Sequence, residues 1–263
     1  MDKWINKIHC GKCEELIPLL PDSSIDIVVT SPPYNVNLGN NKLNKNTYDE
    51  HDDDMPYEEY IEWLTLIFGS LKSKMVSGGR ICINIGDQRN GSIPTHSNII
   101  QFMTKELGYL LKTTIVWNKN QIGSRTAWGS FKSPQNPSFP TPFEYIMIFC
   151  KDSQAKEGSK DLITVSDEEF IENSLALWSF APQSYMLKTF GHPAVFPIEL
   201  PRRLLQQLSY ENDVVLDPFS GSGTTCLAAA MLKRRWVGFE KSKNYSKNSM
   251  TRIERYLDQE RMC

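Results

Sequence analysis

Val214-Val215-Leu216-Asp217-Pro218-Phe219-Ser220-Gly221-Ser222-Gly223-Thr224-Thr225 is the stretch whose reading decides the fold. Its first residues form a short β-rich apolar run, the pattern of a buried parallel strand. A turn with two glycines follows, then a helical run from Thr224 to Lys233, a second strand from Trp236 to Phe239, and Glu240. In this strand, turn, helix, strand unit, Gly221 and Gly223 let the backbone approach a ligand closely. A phosphate-binding loop would place Lys before Ser or Thr, and a dinucleotide loop would place a third glycine three residues after Gly223. Position 222 is Ser and positions 224 to 226 are Thr-Thr-Cys, so neither template is met. Glu240 closes the second strand, where a carboxylate can accept both hydroxyls of a ribose. Its distance from the loop also suits a nicotinamide cofactor, so Glu240 alone does not discriminate.

Far upstream, Ile25-Asp26-Ile27-Val28-Val29 reads as another buried parallel strand, and it runs into Thr30-Ser31-Pro32-Pro33-Tyr34-Asn35. Two consecutive prolines fix φ and remove two backbone donors, so the chain leaves the strand as a stiff lip with carbonyls left to accept. A hydroxyl (Ser31), such carbonyls and an aromatic face (Tyr34) suit gripping a planar base through its amino group while stacking on its ring.

At these residues the chain resembles the amino-methylating DNA methyltransferases, whose catalytic motif is (Asp/Asn/Ser)-Pro-Pro-(Tyr/Phe). Ser31-Pro32-Pro33-Tyr34 matches that motif. Asp217 to Thr225 matches the family's S-adenosylmethionine loop, Asp-Pro-Phe-x-Gly-x-Gly-Thr-Thr. Gly191-His192-Pro193-Ala194-Val195-Phe196-Pro197 is similar to the segment that borders the methionine end of the cofactor. The catalytic motif precedes the cofactor loop, the permuted order of the β group. The resemblance implies an α/β, Rossmann-like S-adenosylmethionine-dependent methyltransferase fold with a mostly parallel twisted sheet and an inserted target-recognition region. It implies a single domain over 1–263, with a catalytic portion at 1–120, the target-recognition region within 121–190 and a cofactor-binding portion at 191–263. Its site residues would be Ser31, Pro32, Pro33 and Tyr34 for catalysis, and His192, Phe196, Pro197, Asp217, Phe219, Ser220, Gly221, Gly223, Thr224, Thr225 and Glu240 for S-adenosyl-L-methionine. Many relatives carry Gly-Asp where this chain has Gly11-Lys12, so no adenine contact is carried over to Lys12.

At 263 residues, with ordinary apolar and charged fractions, the chain can bury a sizeable core. A net charge of −2 argues against non-specific coating of nucleic acid, while Arg202-Arg203, Lys233-Arg234-Arg235 and the lysines from 241 to 247 offer local basic patches or plain solvated faces. Six cysteines without a secretory signal or membrane-length segment point to a reducing compartment. That gives an expected cytoplasmic, nucleoid-associated location. Cys10-Gly-Lys-Cys13 has no second pair, so it reads as structural and no metal is expected.

Residues 36–54 read as a long loop beside the catalytic lip, a lid or plain disorder. Asp54 caps a helix whose stripe Tyr60, Leu64, Ile67, Phe68 and Leu71 reads as core and not as site. Gly78-Gly79 ends that helical region, Arg80 to Ile85 is the next strand, and a helix spans Ser97 to Leu107. The β-rich runs Leu110 to Trp117 and Phe143 to Phe149 would flank the target-base pocket. Trp117 and Lys119 are thus candidates for base-side packing and phosphate contact. The segments 121–142 and 151–188 mix amides, bases (Arg125, Lys132) and aromatics (Phe170, Trp178, Phe180, Tyr185), as a recognition region holding a small core of its own would.

Ser at position 31 resembles the cytosine-N4 members; adenine-N6 enzymes mostly carry Asp there. The partners implied are double-stranded DNA, a cognate restriction endonuclease and a second copy of the chain. A cytosine-C5 enzyme would need a nucleophilic Cys, typically after Pro, and no Pro-Cys pair exists. An inactive DNA-recognition module and an RNA or small-molecule methyltransferase remain as rivals.

Overall fold

Short β-branched runs build an eight-stranded sheet in the computed structural model, which describes residues 1–35, 55–120, 129–182 and 196–262. The expectations for the loop 36–54, Asp54, Arg125, Tyr185 and His192 lie outside the described residues. The strands are β1 (Lys7–Cys10), β2 (Ile25–Thr30), β3 (Met75–Ile85), β4 (Leu110–Asn118), β5 (Phe143–Cys150), β6 (Leu177–Ser179), β7 (Val214–Asp217) and β8 (Arg235–Glu240). Their spatial order is β1-β8-β7-β2-β3-β5-β4-β6. Among these eight strands, the pairings that β5 makes with β3 and β4 are antiparallel and the others parallel.

A mostly parallel sheet must be covered on both faces, and the side-chain alternation along β2 shows how. Val28 joins a core with Tyr60, Leu64, Ile67, Phe68 and Leu71 of helix α2 (Tyr57–Leu71), above the short α1 (Cys13–Leu16) and α3 (Thr95–Gln101). Ile27 and Val29 join the opposite core with Leu204 and Leu205 of α5 (Glu199–Leu208), Ala228 of α6 (Thr224–Met231) and Ile253 of α7 (Lys243–Met262). A further helix, α4 (Asp167–Asn173), packs on α5. Each fully buried Leu, Ile or Phe in these layers contributes about 1.5–3 kcal/mol of transfer free energy.

From β7 the chain crosses through α6 to β8 on one side; from β2 it crosses through α2 to β3 on the other. The strand order therefore reverses between the adjacent parallel strands β7 and β2. Open α/β sheets bind ligands at the carboxyl ends of strands at such a reversal. The cofactor-type loop and the Ser-Pro-Pro-Tyr lip leave these two ends.

Several elements differ from expectation. Strand β3 begins at Met75 and runs through the glycine pair rather than after it. Gly78 has φ +69, and a Cβ there would lie 2.2 Å from the Ala155 carbonyl, so glycine lets the strand kink and continue. Beyond α3 a five-residue π turn (Phe102–Glu106) carries the helical region to Gly108. Trp178 of β6 is buried beside Trp117 in the core on the α5 side, with Phe180 packed against it, so these two aromatics build onto the sheet, while Phe170 is exposed.

Candidate active site

The cofactor-type loop is shaped from inside. Asp217, 1% exposed, accepts from Thr30 Oγ1 at 2.6 Å and from the Phe219 amide at 3.1 Å. Burial pushes its carboxyl up to about 6 against the pull of these hydrogen bonds. Thr225, also buried, donates to the Val29 carbonyl at 3.2 Å. Asp217 and Thr225 thus tie the loop to the last two residues of β2, immediately before Ser31. Both are expected at a ligand, and in the structure their side chains join the loop to the end of β2.

Gly221 (φ +50) and Gly223 (φ +74) are left-handed, and a Cβ on Gly223 would press to 3.0 Å on Ser249 Cβ. Gly223 caps α6, beside Thr224, whose hydroxyl meets Ser222 Oγ and Arg252 at 3.2 and 3.1 Å. The Ser220 amide donates to Phe239, and Glu240 accepts from the amides of Gly221 and Ser242, each at 2.8 Å. The Glu240 carboxylate is fixed across the loop, and a carboxylate oxygen can accept more than one hydrogen bond, as ribose hydroxyls would require. Phe219 packs against Trp63 with ring centroids 5.5 Å apart. Phe196 packs on the α5 side of the sheet, and the Pro197 carbonyl accepts from Leu200 as α5 begins.

The lip is held just as firmly. Tyr60 Oη donates to the Pro33 carbonyl at 2.7 Å, and Gln88 Nε2 donates to the Tyr34 carbonyl at 2.8 Å. The Tyr60 ring is core, as its stripe predicts, yet its hydroxyl serves the site. No donor of the described residues reaches the Pro32 carbonyl, and that oxygen remains an acceptor. Ser31 Oγ shares its hydrogen between the Asn84 carbonyl at 3.1 Å and Tyr34 Oη at 3.2 Å, which leaves oxygen lone pairs for an incoming N–H.

Behind the lip lies a polar cluster that sequence reasoning missed. Tyr34 Oη donates to Glu144 Oε2 at 2.9 Å, and Asn84 Nδ2 donates to both Tyr34 Oη (2.9 Å) and Glu144 Oε2 (2.7 Å). Lys119 Nζ pairs with Glu144 Oε1. Asn84 and Glu144 interrupt apolar strands with polar side chains, and that was the available signal. Lys119, expected at a phosphate, sits here against Glu144. Trp117 corrects its expectation as a base-side group: it is 2% exposed, stacks on Phe180, and donates its indole N–H to the Phe180 carbonyl at 3.0 Å. A ring used this way packs core. Lys132 is exposed, over the Phe131 ring.

A family model described as DNA methylase, of the N6/N4 type, matches residues 25–251. The chain belongs to the N6/N4 DNA methylase family. Members compared with it include the type II methyltransferase M.MjaI of Methanocaldococcus jannaschii, 31% identical over 86% of this chain and 84% of that protein. M.MjaVI of the same organism is 40% identical over 63% of this chain and 81% of its own length. Among solved structures, a DNA modification methylase of Thermus thermophilus, in complex with S-adenosyl-L-methionine, superposes with a TM-score of 0.72 at 28% identity over 95% of both chains. Among the described residues no helix is long and apolar enough to cross a membrane, and no group of His, Cys, Asp and Glu could hold a metal ion.

Proposed function

We propose that this chain transfers a methyl group from S-adenosyl-L-methionine to the exocyclic N4 of cytosine in double-stranded DNA, as the modification enzyme of a restriction-modification system. The observation that carries the reading is the joining of the two motifs at the strand-order reversal, where Thr30 binds Asp217 one residue before Ser31. The cofactor fits the residues present: a glycine loop that a Cβ at Gly223 would crowd, a helix N-terminus at Thr224, and Glu240 fixed by two amides. Phe219, Ser220, Gly221 and Phe196 to Pro197 complete its holder, and the resemblance of the segment around His192 assigns that residue to the cofactor as well. When bound, the cofactor supplies an electrophilic sulfonium methyl.

An exocyclic amine is a poor nucleophile because its lone pair is delocalised into the ring. Ser31 Oγ and the Pro32 carbonyl accept its two hydrogens, favour a tetrahedral nitrogen and aim the lone pair outward. The rate then comes from positioning and preorganised electrostatics. The base must leave the duplex to reach the lip, where Tyr34 stacks on it. Lys132 is exposed and is assigned to DNA together with Arg125, while Lys119 stays with Glu144. A cognate endonuclease and a second copy of the chain are the further partners, and the type II relatives named above support the endonuclease.

Ser at position 31 favours cytosine. Incubation with labelled S-adenosyl-L-methionine and unmethylated genomic DNA, followed by digestion to nucleosides, checks the base: labelled N4-methylcytosine is expected. Labelled N6-methyladenine would overturn the base and keep the lip's role.

A further inference from the structure

Methyl transfer leaves the amine nitrogen positively charged, with one proton too many, and the lip offers that proton a directed path. Asn84 Nδ2 has hydrogens only to give, so Tyr34 Oη accepts from it at 2.9 Å and directs its own hydrogen to Glu144 Oε2, also at 2.9 Å. Ser31 Oγ is 3.2 Å from Tyr34 Oη. The donors therefore point one way, from the amine's acceptor to a carboxylate.

We infer that Glu144 is the terminal proton acceptor of a relay running from Ser31 through the Tyr34 hydroxyl. The inference rests on the reading of Ser31 as the group that meets the target amine. The amine's N–H bond breaks and its proton moves to Ser31 Oγ; the Ser31 proton moves to Tyr34 Oη, and the Tyr34 proton to Glu144 Oε2. The amine ends neutral, both hydroxyls are restored, and the carboxylate becomes a carboxylic acid that later returns the proton to solvent. Lys119 pairs with Oε1, the other carboxylate oxygen, which leaves Oε2 directed at Tyr34. Groups around Glu144 are Tyr34 from the lip, Asn84 from β3 and Lys119 beyond β4; Asp87 and His96 form a separate pair, 2.8 Å apart, against the neighbouring Tyr145 ring. The aromatic ring at position 34 serves stacking in the Tyr and Phe forms of the motif alike, whereas the relay needs the hydroxyl.

The test compares the full-length wild type with Glu144→Gln and Tyr34→Phe in single-turnover methyl transfer across pH, with calorimetric binding of S-adenosyl-L-methionine as the control for folding. A positioned acid or base contributes about 10²–10⁴-fold, so both variants should slow transfer by about a hundredfold or more with unchanged cofactor affinity. Glu144→Gln should also lose the acid limb of the pH profile, which loss of packing would not move. Infrared difference spectra supply a readout apart from activity: in the cofactor-free protein Tyr34→Phe should shift the Glu144 carboxylate band. A wild-type rate in Tyr34→Phe, or an acid limb retained in Glu144→Gln, overturns the relay while the methyltransferase reading stands. A wild type that binds cofactor and methylates no DNA removes the methyltransferase reading, and the relay with it.

Discussion

Thr30→Val is the perturbation that probes the link between cofactor loop and catalytic strand. Valine keeps the shape of threonine, so no cavity opens; only the 2.6 Å hydrogen bond to Asp217 is lost. Both residues are at most 1% exposed, and water cannot replace the missing donor. A hydrogen bond to a charged group contributes about 1.5–3 kcal/mol, and Asp217 keeps the Phe219 amide, so about 2 kcal/mol should go. In a domain of this size that is about 4–8 °C of melting temperature. Losing a donor to its charged form raises the Asp217 carboxyl beyond about 6, so the deficit should grow as pH rises. Urea unfolding of wild type, Thr30→Val and the control Thr30→Ser measures it, with cofactor affinity falling in parallel because the loop loses an anchor. A deficit in Thr30→Val under about 0.5 kcal/mol, or one equal in Thr30→Ser, would refute the argument.

Two further outcomes follow from the same loop. Asp217 has a folded-state pKa of about 6, above the ordinary carboxylate value, so its stabilisation is complete at low pH and is lost as pH rises through 6. Asp217→Asn should remove that dependence, and the stability of wild type relative to the variant should drop by about 2.4 kcal/mol between pH 4 and 7 in matched unfolding curves. Gly223→Ala, at φ +74 with its new Cβ 3.0 Å from Ser249, should lose about 1–2 kcal/mol of stability and bind cofactor more weakly, as calorimetry would read.

The chain's punctuation made much of this legible. The glycine loop with its flanking strands and the double proline after β2 mark local chemistry, and both motifs lie at strand ends, as their sequences predict. The stripe on α2 was legible too, because burial of one helix face imposes its spacing. What the sequence hid depends on contacts distant along the chain. Glu144 and Asn84 meet Tyr34 across 110 and 50 residues of separation, and no local pattern announces such a pairing. Trp117 illustrates the opposite error, since an aromatic at a strand end beside a pocket has the same sequence signature whether it faces ligand or core. Helix α4 was readable but passed over: Ser166 and Glu169 form a capping box, which the polar texture of the segment obscured.

The most direct test of the central claim is single-turnover methyl transfer to DNA by Ser31→Ala, measured beside calorimetric cofactor affinity. Removing an acceptor that acts on the amine only as it reacts should slow transfer by about 10²–10³-fold and leave the dissociation constant unchanged. Transfer at the wild-type rate would contradict the assignment of Ser31 to the target amine.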